Sequence, residues 1–284
     1  MSAEGLTGLL RSFRLPTMAA MWQECVARAE RENWGYKRLL QHLCESEEQD
    51  RRERKMQRLL KQSGLPEGKS LGNLDEKLLP AKIRRLLPTL LEGNFVERAE
   101  NVLAFGLPGR GKTHFLAAVG RELILRHRYP VLFTSTFKLV QQLLAAKQEL
   151  RLESELKRLD HYAAVILDDI GYVQQDRQEM EVLFTFLAER YERRSVLISS
   201  NLVFSKWDQI FKDPMTTMAA IDRLVHHATI LEFNGPSVRA QKAQGRQKGQ
   251  AEPTEDPFGS TPSLAPDGAK DSVPPKGSSP KDKP

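Results

Sequence analysis

The sequence has little cysteine. Cys25 and Cys44 are the only two in 284 residues, with no C-x-x-C spacing and no nearby pair of histidines. This scarcity excludes a disulfide framework and a cysteine-ligated metal centre, and it is typical of a protein kept in a reducing compartment. We expect both cysteines to be free thiols on apolar helix faces.

Long apolar runs are missing as well. No stretch of the chain reaches the roughly 18 apolar residues that a membrane-spanning helix needs. The first ten residues, MSAEGLTGLL, lack the basic segment that begins a secretory signal. The sequence therefore predicts no membrane span and favours a cytoplasmic protein.

Charge is abundant and slightly unbalanced. The chain has 43 Lys and Arg against 37 Asp and Glu, a formal charge of +6. A moderately basic chain favours a polyanionic partner such as nucleic acid. The length suffices for one α/β domain together with a smaller domain.

Composition divides the chain into four parts. Residues 1–63 are charged and helical in pattern, and residues 64–95 contain several Pro and Gly, as in a linker, with a short helix over 82–91. Residues 96–239 alternate apolar runs with amphipathic segments, and residues 240–284 are mostly Gln, Lys, Gly, Pro, Ser and Asp. We expect a small helical N-terminal domain, a linker, an α/β domain and a disordered tail.

Five short apolar runs lie in the α/β part, without the strict alternation of a half-exposed strand. They are Val102–Phe105, Val131–Ser135, Ala163–Asp168, Ser195–Ser199 and Ala228–Phe233. Amphipathic helices are predicted between them, for example over Phe137–Leu156 and Glu179–Glu192. This order predicts a doubly wound α/β fold around a parallel sheet of about five strands, buried on both faces.

The segment Gly106–Thr113, GLPGRGKT, matches the phosphate-binding loop pattern G-x-x-x-x-G-K-[ST] without a mismatch. A predicted strand precedes it and a predicted helix, 113–127, follows it, which is the context that the motif requires. The glycines let backbone N–H groups turn towards phosphate oxygens, and the helix N-terminus adds partial positive charge. Lys112 would reach the β- and γ-phosphates, and the Thr113 hydroxyl would ligate Mg²⁺.

Two acids stand at the end of the third apolar run: Asp168 is its last residue and Asp169 comes directly after it. In P-loop NTPases a strand in this position delivers an Asp that holds Mg²⁺, and we expect Asp168 to be that residue. Asp169 would orient or deprotonate the attacking water. The alternative for Asp169 is a helix cap or a loop acid, because acids often precede helices.

Three further polar residues follow in the chain. Asn201 ends the fourth apolar run and would lie beside the γ-phosphate if that strand neighbours the P-loop strand; the alternative is a turn asparagine. Arg223 lies on an amphipathic segment, and Arg239 follows the last strand. Either arginine would stabilise transition-state charge if it faced the γ-phosphate. By composition alone, both arginines favour solvated surface pairs.

A basic stretch, QDRRERKMQRLLK, ends the N-terminal region. It places Arg51, Arg52, Lys55 and Arg58 on a predicted helix. These four side chains are the candidates for contact with DNA phosphates. Because acids are interleaved with them, a solvated charged helix is an equal alternative.

The order of these motifs resembles that of the AAA+ ATPases, in the branch that contains DnaA, DnaC and IstB, with IstB the nearest. The stretches that carry the resemblance are residues 100–114, 165–171, 199–211 and 221–227, and it extends over about residues 5–239. The resemblance implies the AAA+ P-loop NTPase fold, with ATP and Mg²⁺ as ligands.

The resemblance also implies a role for each polar residue. Asn201 would be the sensor I residue, Arg223 an arginine finger acting on ATP in a neighbouring subunit, and Arg239 the sensor II arginine acting in its own subunit. With the P-loop motif, the expected nucleotide-binding residues are Gly106, Pro108, Gly109, Arg110, Gly111, Lys112, Thr113, His114 and Arg239. A finger supplied by a neighbour implies an oligomer.

By this resemblance, we expect a DNA-dependent ATPase that assists insertion-sequence transposition. Its subunits would assemble as a ring or spiral on duplex DNA and recruit or stimulate a transposase at the target site. The alternative is a DnaC-like loader, whose N-terminal helices grip a replicative helicase. The pair His226 and His227 and the segment Ser-Lys-Trp at 205–207 favour the IstB-like interpretation.

Overall fold

The computed structural model of the protein describes residues 3–170, 177–202, 221–235 and 237–238. The predicted disordered tail, the segment 205–207 and Arg239 lie outside the described residues.

Five strands form one parallel sheet in the order β2-β3-β4-β1-β5. Their bounds are β1 Asn101–Phe105, β2 Val131–Ser135, β3 Ala164–Asp168, β4 Ser195–Ser200 and β5 Ala228–Glu232. Each strand begins and ends within one residue of its predicted position. Sequence order and spatial order differ, so the connections cross the faces of the sheet, and the predicted doubly wound fold is confirmed.

Helices precede the sheet and link its strands. Within the described residues they are α1 Ala3–Ser12, α2 Pro16–Arg31, α3 Tyr36–Gln62, α4 Ala81–Leu91, α5 Asn94–Glu97, α6 Lys112–His127, α7 Thr136–Gln148, α8 Leu152–Asp160 and α9 Arg177–Arg190. Two 3₁₀ turns, Leu71–Asn73 and Glu76–Leu78, lie before α4. No helix in this described part combines the length and the apolar character that a membrane span requires.

The strands are apolar on both sides because helices cover both faces. Val102 and Ile166 belong to a core cluster with side chains of α4 and α6. Leu103 and Val165 belong to a second cluster with side chains of α7 and α9. Burial on both faces explains why the strands read as continuous apolar runs in the sequence.

The prediction of one helix over Phe137–Leu156 is wrong, since α7 ends at Gln148 and α8 begins at Leu152. Leu150 has φ +56°. Its N–H donates to the carbonyl of Lys147 at 3.1 Å, and the N–H of Arg151 donates to the carbonyl of Ala146 at 2.7 Å. This pair of bonds is a Schellman ending, which usually has glycine at the left-handed position. With leucine there, the sequence carries no signal for the break.

The segment predicted as a linker packs on the core. The helix expected over 82–91 is present as α4, and its Ile83, Leu87 and Leu90 are buried in the cluster that includes α6. Upstream of it, the carbonyl of Ser63 accepts a hydrogen bond from the Phe133 N–H of β2 at 2.7 Å. Residues 64–95 therefore connect the end of α3 to the sheet through buried contacts.

Helix α3 is joined to the start of α2 by Glu47, whose side chain is only 4% exposed. Its carboxylate accepts hydrogen bonds from the backbone N–H groups of Thr17 and Met18, at 2.8 and 3.1 Å. These N–H groups begin α2 and have no intrahelical partner, so Glu47 acts as their cap. Both cysteines are free, as expected, but only Cys25 is buried, while Cys44 is exposed.

Candidate nucleotide-binding site

A cleft of about 340 Å³ opens where β1, β3 and β4 end. It is lined by Lys69, Pro108, Gly109, Arg110, Gly111, Lys112, Thr113, His114, Asp168, Asp169, Ser199, Asn201 and Val238. Ligands of doubly wound sheets bind in such a crevice, beyond the carboxyl ends of the strands. All the predicted catalytic and nucleotide-contacting residues except Gly106, Arg223 and Arg239 line this one cleft.

The loop between β1 and α6 has the backbone of an anion cradle. Gly106, Gly109 and Gly111 have φ values of +149°, +81° and +90°, which favour glycine. A Cβ on Gly106 would lie 2.6 Å from the carbonyl oxygen of Phe233, so the close approach of β5 excludes a larger residue. Because α6 begins immediately afterwards, at Lys112, its first N–H groups face the loop. This donor set fits a phosphate group.

The ammonium group of Lys112 is enclosed by the loop. It donates to the carbonyls of Gly106 and Leu107, at 2.6 and 3.1 Å, and to the Asn201 side-chain oxygen at 2.8 Å. The residue is only 5% exposed. A cation is therefore held at the centre of the cradle.

Thr113 and Asp168 bring two oxygen groups together at the floor of the cleft. The Thr113 hydroxyl donates to Oδ1 of Asp168 at 2.8 Å. The hydroxyl of Thr136, at the start of α7, donates to the backbone carbonyl of Asp168 at 3.2 Å. A carboxylate beside a hydroxyl is the oxygen donor set that suits a hard cation such as Mg²⁺, so these residues fit the expected metal.

Asp169 adopts the left-handed backbone conformation, with φ +62°. Its carboxylate accepts a hydrogen bond from Nδ2 of Asn201 at 2.8 Å. Burial, followed by the nearby Asp168 charge, raises the pKa of this carboxyl group above its ordinary value. A raised pKa increases the proton affinity of the carboxylate, which is the change that a general base near neutral pH requires.

Asn201 links the two ends of this arrangement. Its amide accepts from Lys112 and donates to Asp169, both at 2.8 Å. It reaches both because β4 pairs directly with β1, the P-loop strand. The sequence placed Asn201 beside the γ-phosphate only if its strand neighboured the P-loop strand, and the two strands are neighbours.

Arg110 and the chain after β5 close the cleft from the other side. Arg110 Nη1 donates to the carbonyl of Phe233 at 2.9 Å, and the Val238 N–H donates to the Gly109 carbonyl at 3.0 Å. Val238 lines the cleft. Arg239, which is the next residue in the chain, lies outside the described residues.

Besides Val238, sequence reasoning missed three residues that line or adjoin the cleft. Lys69 comes from the predicted linker, and the neighbouring Ser70 carbonyl lies 3.1 Å from Nε2 of His114. Ser199 contacts Asp168 at the end of β3 and Asp169 just after it. Nothing in the sequence marks Lys69. A polar residue at the buried tip of the strand beside the acidic strand is a usable signal for Ser199.

Arg223 does not reach the cleft of its own chain. It is exposed, on the helical residues 221–226 that precede β5. The residues that follow it bond to the start of β1. Asn101 donates through Nδ2 to the Leu224 carbonyl at 3.1 Å and through its backbone N–H to the His227 carbonyl at 2.7 Å. The P-loop follows the other end of β1, about 15 Å away at roughly 3.3 Å per strand residue.

The basic residues of α3 are all exposed, but they differ in their partners. Arg51 lies 3.2 Å from Glu47 and also donates to the Arg14 carbonyl, while Arg52 pairs with Glu48. Lys55 and Arg58 make no ion pair with any residue of the described ranges. The four candidates for DNA contact therefore divide into two paired and two available cations.

The fold and the cleft together define a class of protein, the P-loop NTPases of the AAA+ type. Domain III of DnaA from Thermotoga maritima is similar with a TM-score of 0.52 at 15% identity, covering 68% of this chain and 79% of that one. DnaI is similar with a TM-score of 0.50 at 21% identity, covering 60% of this chain and 95% of that one. At these identities the likeness shows the fold alone.

Within that class, the chain belongs to the family of IstB-like ATP-binding proteins, whose family model matches residues 8–246. It is 40% identical over 246 residues to a protein of Sinorhizobium fredii named for ATP binding in an insertion sequence, covering 86% of this chain and 82% of the relative. It is 35% identical over 235 residues to the corresponding protein of insertion sequence IS21 from Pseudomonas aeruginosa, covering 82% of this chain and 88% of the relative.

Proposed function

We propose that the protein is an ATPase of an insertion sequence that binds ATP with Mg²⁺ in the cleft. The observation that carries this proposal is the convergence of five polar side chains in one cleft: Asn201 bonds both Lys112 and Asp169, and Thr113 bonds Asp168. The family and the relatives are named for ATP binding. A DnaA of the same fold, from Aquifex aeolicus, carries the ATP analogue AMPPCP.

Each residue of the cleft has a proposed task. The N–H groups of the P-loop and the start of α6, with Lys112, hold the phosphates. Thr113 and Asp168 hold Mg²⁺, which supplies charge neutralisation at the phosphates when bound. Asn201 orients the attacking water, and the Asp169 carboxylate accepts its proton.

We propose that Arg223 acts on the ATP of a neighbouring subunit. The support is its position: it is exposed, and it lies at the end of β1 opposite to the cleft of its own chain. An exposed guanidinium close to a neighbour's γ-phosphate would stabilise transition-state charge with its planar donors. The proposal makes the active form an oligomer, with a ring or spiral as the arrangement that repeats such a contact.

We propose duplex DNA and a transposase as the partners. The formal charge of +6 supports contact with DNA phosphates, as do Lys55 and Arg58, which are exposed and have no ion pair within the described residues. Relatives also come from insertion sequences. In this proposal residues 1–63 form the DNA- or partner-binding part, residues 64–95 the connection, and residues 96–239 the ATPase part. The DnaC-like helicase loader is less favoured, because the insertion-sequence relatives align with more than four fifths of the chain.

Removal of Lys112 or Asp168 tests the proposed chemistry. Lys112→Ala should lose nucleotide binding, because the central cation of the cradle is removed, and Asp168→Ala should lose Mg²⁺-dependent hydrolysis by at least about a hundredfold. Lys157→Ala, which removes an exposed lysine paired with Glu153, is the matched control. Binding of a fluorescent ATP analogue and phosphate release would be measured. Full hydrolysis by Asp168→Ala would reject the assignment of hydrolysis to Mg²⁺ held at this site.

Electron microscopy with duplex DNA and a non-hydrolysable ATP analogue tests the assembly. A ring or filament that encloses DNA is expected. Free subunits under saturating nucleotide, or an assembly only with a replicative helicase, would contradict the proposal.

A further inference from the structure

Ser199 occupies an unusual position at the tip of β4. The residue is 2% exposed, yet it lines the nucleotide cleft. Its hydroxyl donates to Oδ1 of Asp168 at 2.6 Å and accepts from the backbone N–H of Asp169 at 2.8 Å. One hydroxyl therefore contacts both the acid that ends β3 and the acid that follows it.

The register of the sheet places Ser199 there. Leu167 of β3 pairs with Ile198 of β4, so the next positions along the two strands are Asp168 and Ser199. The partners lie 31 and 30 residues away in the chain. This differs from Ser200, whose hydroxyl makes its described bonds with the N–H and carbonyl of Leu202, two residues on. The hydroxyl of Ser199 therefore joins two elements of the sheet.

We propose that Ser199 is a positioning residue that fixes the Asp168 carboxylate for Mg²⁺ and holds Asp169 in its left-handed conformation. This inference rests on the proposed function of the cleft. The donated bond fixes one oxygen of Asp168 against Thr113, whose hydroxyl reaches the same oxygen at 2.8 Å. A group that orients a metal ligand in this way typically changes metal affinity when it is removed.

The second bond acts on the backbone. A non-glycine residue with positive φ persists only where its surroundings hold it, and the N–H of Asp169 is held by Ser199. The opposite side of Asp169, its carboxylate, is held by Asn201. Ser199 near the end of β4 and Asn201 just after it therefore set the backbone and the side chain of the proposed base separately.

Ser199→Ala tests the proposal, with Ser200→Ala as the matched control on the same strand. The affinity of each variant for a fluorescent ATP analogue would be measured in EDTA and across a Mg²⁺ titration, together with its melting temperature. We expect Ser199→Ala to bind nucleotide in EDTA as the unaltered protein does. Its half-saturating Mg²⁺ concentration should rise at least about tenfold, the usual effect of losing a residue that orients a metal ligand. Ser199→Thr, which keeps the hydroxyl, should restore most of the Mg²⁺ response.

The results separate this inference from the proposed function. An unchanged Mg²⁺ response in Ser199→Ala would overturn the role of Ser199, whether or not the protein hydrolyses ATP. Equal losses of affinity in EDTA and in Mg²⁺ would also overturn it, because they would mean that Ser199 supports the loop in general. If the unaltered protein bound Mg²⁺-nucleotide but did not hydrolyse it, the ATPase proposal would fail, and the Mg²⁺ titration would still decide the role of Ser199.

Discussion

The nucleotide cleft and the basic half of α3 both concentrate charge, but they satisfy it in different ways. In the cleft, Asn201, which follows β4, bonds both Lys112 of α6 and Asp169, which follows β3. On α3, Arg52 pairs with Glu48 one turn away, and Lys55 has no ion-pair partner in the described ranges. The cleft is a closed network, and α3 presents an open row.

This difference separates two kinds of function. A closed network fixes the geometry of a reaction before any ligand arrives, which is what catalysis requires. An open row of cations is stable in water without a partner. When it binds phosphates, the release of their counterions contributes favourable binding free energy. Arg223 is exposed like the cations of α3, yet its proposed role is catalytic like that of the cleft residues. A neighbouring subunit would have to complete its surroundings.

Arg223→Ala tests that assignment and carries the largest expected effect. Hydrolysis should fall by about a thousandfold, as for other arginine fingers, while nucleotide affinity stays near that of the unaltered protein. Mixing Arg223→Ala with Asp169→Ala should restore part of the activity, since each variant supplies what the other lacks. Phosphate release by each variant alone and by the mixture would be measured.

A mixture no more active than its two components would contradict action across subunits. Arg193→Ala is a suitable control, because Arg193 is also exposed but pairs with Asp160 and Glu189 within its own chain. It should hydrolyse ATP at close to the normal rate.

Asn201→Ala opens the closed network at its centre and should displace the pH dependence of hydrolysis. A base must be deprotonated, so the rate falls as pH drops through the pKa of Asp169, which burial and then Asp168 already raise. The bond from Asn201 lowers that pKa, so its loss should move the acid limb to higher pH. A pH–rate profile with Ser200→Ala as control would measure the displacement. An acid limb that stayed in place would argue against Asp169 as the base.

How much of this network the sequence predicts depends on which contacts are local. Lys112 and Thr113 stand in a motif whose geometry follows from the loop itself. The position of Asn201 depends on β4 lying next to β1, and the contacts of Ser199 depend on the register between β3 and β4. Strand order and register are decided by the whole sheet. The break at Leu150 was missed because no glycine marks it.

The pairing on α3 was visible in the sequence in principle. Glu47 and Arg51, like Glu48 and Arg52, are four residues apart, which is the spacing of neighbours on a helix face. The buried cap that Glu47 provides for α2 was not visible in the sequence, because it depends on how the two helices pack. Local charge patterns therefore indicate which cations are paired on their own helix, but not which acids are structural.

Replacing single cations of α3 tests the open row, with the smallest expected effects. Lys55→Ala and Arg58→Ala should each weaken binding to a labelled duplex several-fold and reduce the slope of log affinity against log salt by about 1. Arg52→Ala should have a smaller effect, because its guanidinium is shared with Glu48. Exposed ion pairs contribute only about 0–1 kcal/mol of stability. The difference in DNA affinity between Arg52→Ala and the other two variants should therefore be modest, and it should be clearest at low salt. Fluorescence anisotropy across a salt series would measure this difference.

Equal slopes for Arg52→Ala and Lys55→Ala would mean that pairing within α3 does not decide which cations contact DNA. Unchanged slopes for all three variants would mean that this helix does not contact DNA.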